Sequence, residues 1–314
     1  MEQKAKTYAP LTPQLMLQLA APHTWPAAIF PVLTATALAL VVPEWHSVNG
    51  LMVCILLAIS VLFQSAVNTI NDYFDYKKGT DTVDNQADPS DAVLVYNKVN
   101  PRRVLYYAFG LIAAAFILGV YCVIAAGWLP LLIAFVGAAI VFLYSGGKTP
   151  ISYLPIGEVV SGFTFGGLVT FASYYCLTLK ADPRVFIWGL PVMIGVALIM
   201  LTNNGCDIEK DMAAQRSTLP VLIGYENMKK LYHALIFIWI ASICVIVLIW
   251  FRNGWIILPF MLLAVHSLGR ALLANPLTAQ TRAQAFSQIT SLNIALGAFY
   301  AAAILASNLG VCVL

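Results

Sequence analysis

The sequence predicts an all-α polytopic membrane protein with nine transmembrane helices, and three observations carry that prediction. Hydrophobic residues fill 61% of its 314 positions, charged residues only 10%, and the mean hydropathy is +0.83. A single water-soluble globule of this length cannot hide so much apolar surface. Apolar windows of about 17–25 residues, the length that crosses a hydrocarbon core, recur along the whole chain. The basic residues are also sorted: with the N-terminus inside, only Lys180, Arg184 and Arg252 of the 17 Lys and Arg residues fall on the far side. That is the positive-inside pattern, and it makes the net charge of +3 a report on topology rather than on nucleic-acid binding.

Taken in order, residues 1–25 are polar and Pro-containing, with no cleavable signal pattern, and are expected to lie along the interface. The first span, 26–43, stops at Pro43-Glu44, and the second, 49–71, runs into an acidic cluster. Spans at 104–123 and 128–146 are separated by Gly127-Trp128, and the latter ends before Pro150. Spans at 157–178 and 186–205 are divided by Asp182-Pro183. Those at 231–251 and 254–273 are parted only by Arg252-Asn253-Gly254, which predicts a tight hairpin or an irregular segment, and 287–308 closes the chain. One membrane domain over 1–314 results, with cytoplasmic loops at 72–103 and 206–230 expected to hold the chemistry. The six cysteines form no Cys-x-x-Cys pair, so neither a disulfide framework nor a zinc site is indicated.

Two acidic clusters stand at the ends of spans two and six, which hints at an internal repeat. The first reads Asn68-Thr-Ile-Asn71-Asp72-Tyr-Phe-Asp75 with Asp81 behind it; the second reads Asn203-Asn204-Gly-Cys-Asp207-Ile-Glu-Lys-Asp211. If each apolar run continues helically into its cluster, Asn68, Asp72 and Asp75 share one face, and so do Asn203, Asp207 and Asp211. Carboxylates held close together repel one another, and a divalent cation relieves that repulsion. Magnesium takes oxygen ligands, commonly one or two carboxylates together with substrate phosphates. Asp72, Asp75, Asp207 and Asp211 are therefore the candidate metal ligands. Asp84, Asp88 and Asp91 read as ordinary loop acids. Lys77, Lys78, Lys148, Lys210 and Arg216 are the cations available to a bound phosphate. Tyr73, Phe74, Tyr144, Tyr153, Phe163 and Phe165 are the candidate aromatic faces of the site.

These two clusters, followed by Thr218-Leu219 and Gly224, resemble the paired signatures of the UbiA-type intramembrane prenyltransferases, and most closely the 1,4-dihydroxy-2-naphthoate prenyltransferases of menaquinone synthesis. The resemblance implies a helical bundle around a central cavity. In it, Asp72, Asp75, Asp207, Asp211 and Lys148 act in catalysis, and Asn68, Lys77, Lys78, Asp81, Tyr144, Asn203, Asn204 and Arg216 bind substrate. It implies Mg²⁺ as cofactor, a polyprenyl diphosphate and an aromatic acceptor as substrates, and the inner (cytoplasmic) membrane as location, with no obligate protein partner evident. Two basic groups usual in that branch are absent: Ala21-Pro22-His23-Thr24 and Asp88-Pro89-Ser90-Asp91-Ala92 stand in their places.

The expected reaction gives demethylmenaquinone, with loss of the ring carboxylate. Other acceptors, 4-hydroxybenzoate or homogentisate, remain open, although no further Asp between Asp211 and Gly224 argues against the benzoate branch. A transporter or cation channel is the reading from a different class. It calls for ionisable groups near the bilayer midplane, whereas these acids sit at span ends.

Overall fold

The computed structural model describes residues 8–42, 47–82 and 92–308. Thr12 opens α1 (Pro13–Ala20), its hydroxyl accepting from the Leu15 N–H at 3.3 Å, with Pro13 pre-set for the first turn. A short turn over Pro22–Thr24 follows, and α2 (Pro26–Val41) leaves it at a 56° bend. Asn49 caps α3 (Gly50–Lys78), which Gly79 ends in the left-handed region at φ 71°. Beyond it come α4 (Val93–Asn97), α5 (Pro101–Ala126) and α6 (Leu129–Ser145). The next rod is composite: α7 (Gly157–Ser161), a π-helical stretch Gly162–Leu168, and α8 (Val169–Thr178). The chain then forms α9 (Arg184–Trp188), α10 (Leu190–Cys206), α11 (Ile208–Ala213), α12 (Leu219–Ile223) and α13 (Tyr225–Trp250). A 3₁₀ segment, Arg252–Ile257, joins α13 to α14 (Leu258–Ala274), and α15 (Arg282–Ala306) is last. One backbone bridge, Ala9 to Val99, is the nearest thing to a strand among the described residues.

Six of these helices are long and apolar enough to cross a bilayer, or seven if α1 and α2 count as one bent span. The nine crossings expected from hydropathy are thus not confirmed. The reason is length: α2, α6 and α10 have 16 or 17 residues, about 25 Å of helix, against a hydrocarbon core of roughly 30 Å. The stretches 72–103 and 206–230 also differ from the loops expected there. Nothing between Asn68 and Lys78 breaks a helix, so α3 carries Asp72 and Asp75 on to Gly79, while α4, α11, α12 and the start of α13 fill much of the rest. Asp84, Asp88 and Asp91 lie outside the described residues.

Packing explains why these helices bundle at all. The largest core cluster gathers Trp188, Trp239, Tyr232, Tyr300 and Met261 from the C-terminal half, all 2% exposed or less. The π-helical stretch presses Gly162 and Gly166 onto α10 so closely that a Cβ on Gly166 would run into the Met193 backbone. On the outside, Ile124 is 80% exposed and Leu263 78%; such side chains belong against lipid, where no core is needed to cover them.

Candidate active site

Four of the acids that the sequence singles out, Asp72, Asp75, Asp81 and Asp207, line one cavity of about 160 Å³ with Asn68, Asn71, Asn203, Asn204 and Tyr144; Asp211 is buried just behind its wall, against Arg216 and Thr218. The first set arrives on unbroken helix. The second does not: α10 ends at Cys206, and Asp207, at φ −106° and ψ 16°, is the joint between it and α11. The Asp211 N–H still donates to the Asp207 carbonyl at 2.8 Å, so the two acids stay one turn apart across the joint.

Each carboxylate has its own partner. Asp72 accepts the Val93 and Leu94 N–H groups at 2.7 and 3.3 Å, which caps the first turn of α4. Asp75 accepts from Asn71 at 2.9 Å and from the Arg216 guanidinium at 2.6 Å. Arg216 reaches on to Asp211 at 3.4 Å, tying the two clusters together, and lies 4.7 Å over the Tyr153 ring. Thr218 donates to the other Asp211 oxygen at 3.0 Å, Lys210 pairs with Asp81 at 2.6 Å, and Arg282 stands 3.4 Å from Asp207. Burial lifts the Asp211 carboxyl above its ordinary value, an effect the Arg216 charge only partly offsets. Burial alone would lower the Lys210 ammonium, but Asp81 and Asp207 outweigh it and hold that group above its usual range. In the same way Asp75 and Asp211 outweigh burial and raise the Arg216 guanidinium.

Amides frame the same space. Asn68 donates to the Ala20 carbonyl at 3.0 Å and to Thr24 Oγ1 at 2.8 Å, pinning the N-terminal turn to α3. Asn204 donates to Glu158 Oε1 at 2.8 Å, and Arg282 donates to Asn203 Oδ1 at 2.6 Å. Of the aromatic faces, Tyr144 lines the polar cavity and Phe165 a neighbouring space, while Phe163 is 42% exposed and turned outward. Tyr73 and Phe74 pack edge to face at 5.3 Å.

Three expected cations are elsewhere. Lys77 and Lys148 are exposed and do not line the cavity. Lys78 donates to the Ser145 carbonyl at 2.8 Å, where α6 ends, and so serves a helix terminus. Glu158 and Arg282 are the residues that sequence reasoning left without a site role. Glu158 lies 46 positions from its partner Asn204 and Arg282 lies 79 from Asn203, distances at which no local pattern gives a signal.

Among the described residues no group of three His, Cys, Asp or Glu side chains is placed to hold a metal by itself. The donor set nevertheless fits magnesium: the acids and amides converging here offer oxygen, and this ion is usually completed by phosphate oxygens and water. Asp75 and Asp207 would hold it from the cavity wall and Asp211 from behind Arg216, with Asp72 joining through lone pairs that its two N–H bonds leave available.

A narrow space of about 60 Å³ adjoins this cavity, sharing Gln64, Asn68, Tyr144 and Ser161 with it. Through Val141, Thr164 and Phe165 it meets an apolar recess of about 120 Å³, walled by Leu56, Phe63, Ala134, Gly137 and Ala172. A charged chamber and a greasy slot therefore lie on either side of one narrow space and share walls with it.

Known proteins resemble this chain in both sequence and fold. The profile of the UbiA prenyltransferase family matches residues 28–305. A 1,4-dihydroxy-2-naphthoate octaprenyltransferase of Bacillus subtilis (strain 168) is 33% identical over 235 residues, 74% of either chain. The human UbiA prenyltransferase domain-containing protein 1 is 29% identical over 92% of this chain and 82% of its own length. In fold, a UbiA homolog from Archaeoglobus fulgidus bound to DMAPP and Mg²⁺ superposes with a TM-score of 0.63 at 18% identity, covering 92% of this chain and 98% of that one.

Proposed function

The chain belongs to the UbiA prenyltransferase family, and from that premise we propose that it transfers a polyprenyl group from polyprenyl diphosphate to 1,4-dihydroxy-2-naphthoate, giving demethylmenaquinone after loss of the ring carboxylate. The observation that carries the reading is the cavity itself: two sets of acids, bridged by Arg216, stand at one end of an apolar slot. The naphthoate acceptor is favoured over 4-hydroxybenzoate and homogentisate by relatives whose names specify it, in Bacillus subtilis, Haemophilus influenzae and Mycobacterium tuberculosis.

The chemistry asks for charge at one end and dryness at the other. Bound Mg²⁺ would neutralise the departing diphosphate. Arg216 and Lys210 add cationic donors where negative charge develops as the allylic C–O bond breaks. Tyr144 turns an aromatic ring toward the cavity, suited to an allylic cation, and the apolar slot keeps water from capturing that cation before the ring carbon attacks. The slot also gives the prenyl chain a place to lie. Asn68, by fixing the N-terminal turn against α3, closes one side of the chamber. If α6, α10 and the bent α1–α2 pair all cross the membrane beside the six longer helices, the crossings number nine; the sorting of Lys and Arg supports an N-terminus in the cytoplasm, and the family supports the inner membrane as location.

Detergent-purified protein incubated with labelled polyprenyl diphosphate, Mg²⁺ and either acceptor tests this. A lipid product with the naphthoate, accompanied by CO₂ and abolished by EDTA, is the expected result. Product with 4-hydroxybenzoate alone would refute the acceptor assignment, and a product insensitive to EDTA would refute the metal.

A further inference from the structure

Arg282 enters the cavity from the first turn of α15, the last helix of the chain. Its guanidinium donates to Asn203 Oδ1 at 2.6 Å, its Nε stands 3.4 Å from Asp207 Oδ1, and it lies 5.0 Å over the Phe286 ring. The side chain is only 12% exposed. An arginine that merely marks topology sends its charge out to interfacial water along an apolar stem. This one is turned inward, against an amide and an acid of the second cluster.

We propose that Arg282 is a substrate-binding residue that grips an anionic oxygen group inside the cavity, either the diphosphate of the prenyl donor or the carboxylate of the aromatic acceptor. The inference rests on the function proposed above. Asp207 is a carboxylate that would turn to a divalent cation when one binds, and its charge is then compensated without Arg282. A buried guanidinium that lines the cavity is stabilised by an anion arriving there, and its planar fork matches two oxygens of a phosphate or carboxylate at once. The Phe286 ring beneath the guanidinium limits its swing and keeps it facing the chamber. Arg216 pairs with Asp75 and Asp211 and Lys210 pairs with Asp81, whereas Arg282 enters the cavity beside Asp207 and Asn203.

The test compares wild type with R282Q and R282K, full-length and in detergent. It measures KM separately for prenyl diphosphate and for the naphthoate, and the inhibition constant of inorganic diphosphate. A charge-assisted contact of this kind predicts a rise of roughly 10- to 100-fold in R282Q, with partial recovery in R282K. A rise confined to the donor and inorganic diphosphate assigns the diphosphate; a rise confined to the naphthoate assigns the carboxylate. A purely structural clamp would shift melting temperature and Mg²⁺ requirement while leaving both KM values within about twofold, and that result would overturn the proposal. Should the wild type yield no product with any acceptor, the functional reading fails on its own. Calorimetric binding of inorganic diphosphate with Mg²⁺, and of the naphthoate, then still judges Arg282: weaker binding of either in R282Q supports it, and unchanged binding of both overturns it.

Discussion

Asp72 holds two jobs in one carboxylate, since it lines the cavity and caps α4 through the Val93 and Leu94 N–H groups. An Asp72→Asn substitution removes the charge and also puts an NH₂ where a backbone donor needs an acceptor, a local cost of about 1–3 kcal/mol. It is expected to abolish turnover and to speed amide exchange at residues 93–97, whereas Asp211→Asn abolishes turnover without that second signature; hydrogen exchange on both variants decides. Asp211 carries the pH prediction. Burial raises its carboxyl, so the metal-free folded protein binds a proton that the unfolded chain has already released, and its stability falls as pH rises through that window. Magnesium needs the deprotonated form, so its stabilising increment should grow over the same rise. Thermal melts with and without Mg²⁺, from acid to neutral pH, should show opposite slopes; parallel slopes would discard the idea. At this scale the acids were legible because they sit at helical spacing beside apolar runs. Arg282 and Glu158 were not, because their partners come from distant segments. Lys77 and Lys78 misled because nearness along the chain says nothing about which side of the last helical turn faces the cavity.

Among the elements, α3 and α10 differ in a way the repeated acidic motif conceals. No helix breaker separates Asn68 from Asp75, and α3 accordingly runs straight through its cluster. Asn203-Asn204-Gly205-Cys206 brings a glycine two residues before Asp207, and the helix axis breaks at Asp207. Periodicity therefore placed the first face correctly and oversimplified the second. The span count fell short for a related reason: hydropathy reports that a segment is apolar, while helix length depends on where Pro and Gly punctuate it. The π-helical stretch had no sequence signal beyond its glycines, whose role emerges only with α10 beside them. Adding a methyl at Gly166 forces α10 away from that rod. Gly166→Ala should cost about 1–3 kcal/mol by overpacking, read as a lower melting midpoint in detergent. Gly119→Ala, where a Cβ meets nothing within 4 Å, is the neutral control, and equal midpoints for the two variants would dismiss the packing argument.

For the whole molecule, the chamber and the slot set what size of substrate fits, a property no single helix carries and no sequence window displays. A Cβ on Gly137 meets nothing within 4 Å although that residue walls the apolar recess. Gly137→Phe should therefore fold normally while filling the slot, and is expected to favour donors with fewer isoprene units, by about tenfold in relative kcat/KM. Product chain lengths from a mixture of donors measure this, and an unchanged distribution would place the chain elsewhere. The charge inventory of the cavity settles a different matter. Asp72, Asp75, Asp81 and Asp207 face Lys210, Arg216 and Arg282, so the metal-free chamber with its carboxylates ionised holds an excess of negative charge and repels a bare diphosphate at its entrance. If the proposed magnesium site is used, order of arrival follows from that imbalance: the donor is admitted in company with its cation or after it, and a divalent-free membrane would leave the protein idle even when saturated with lipid substrate.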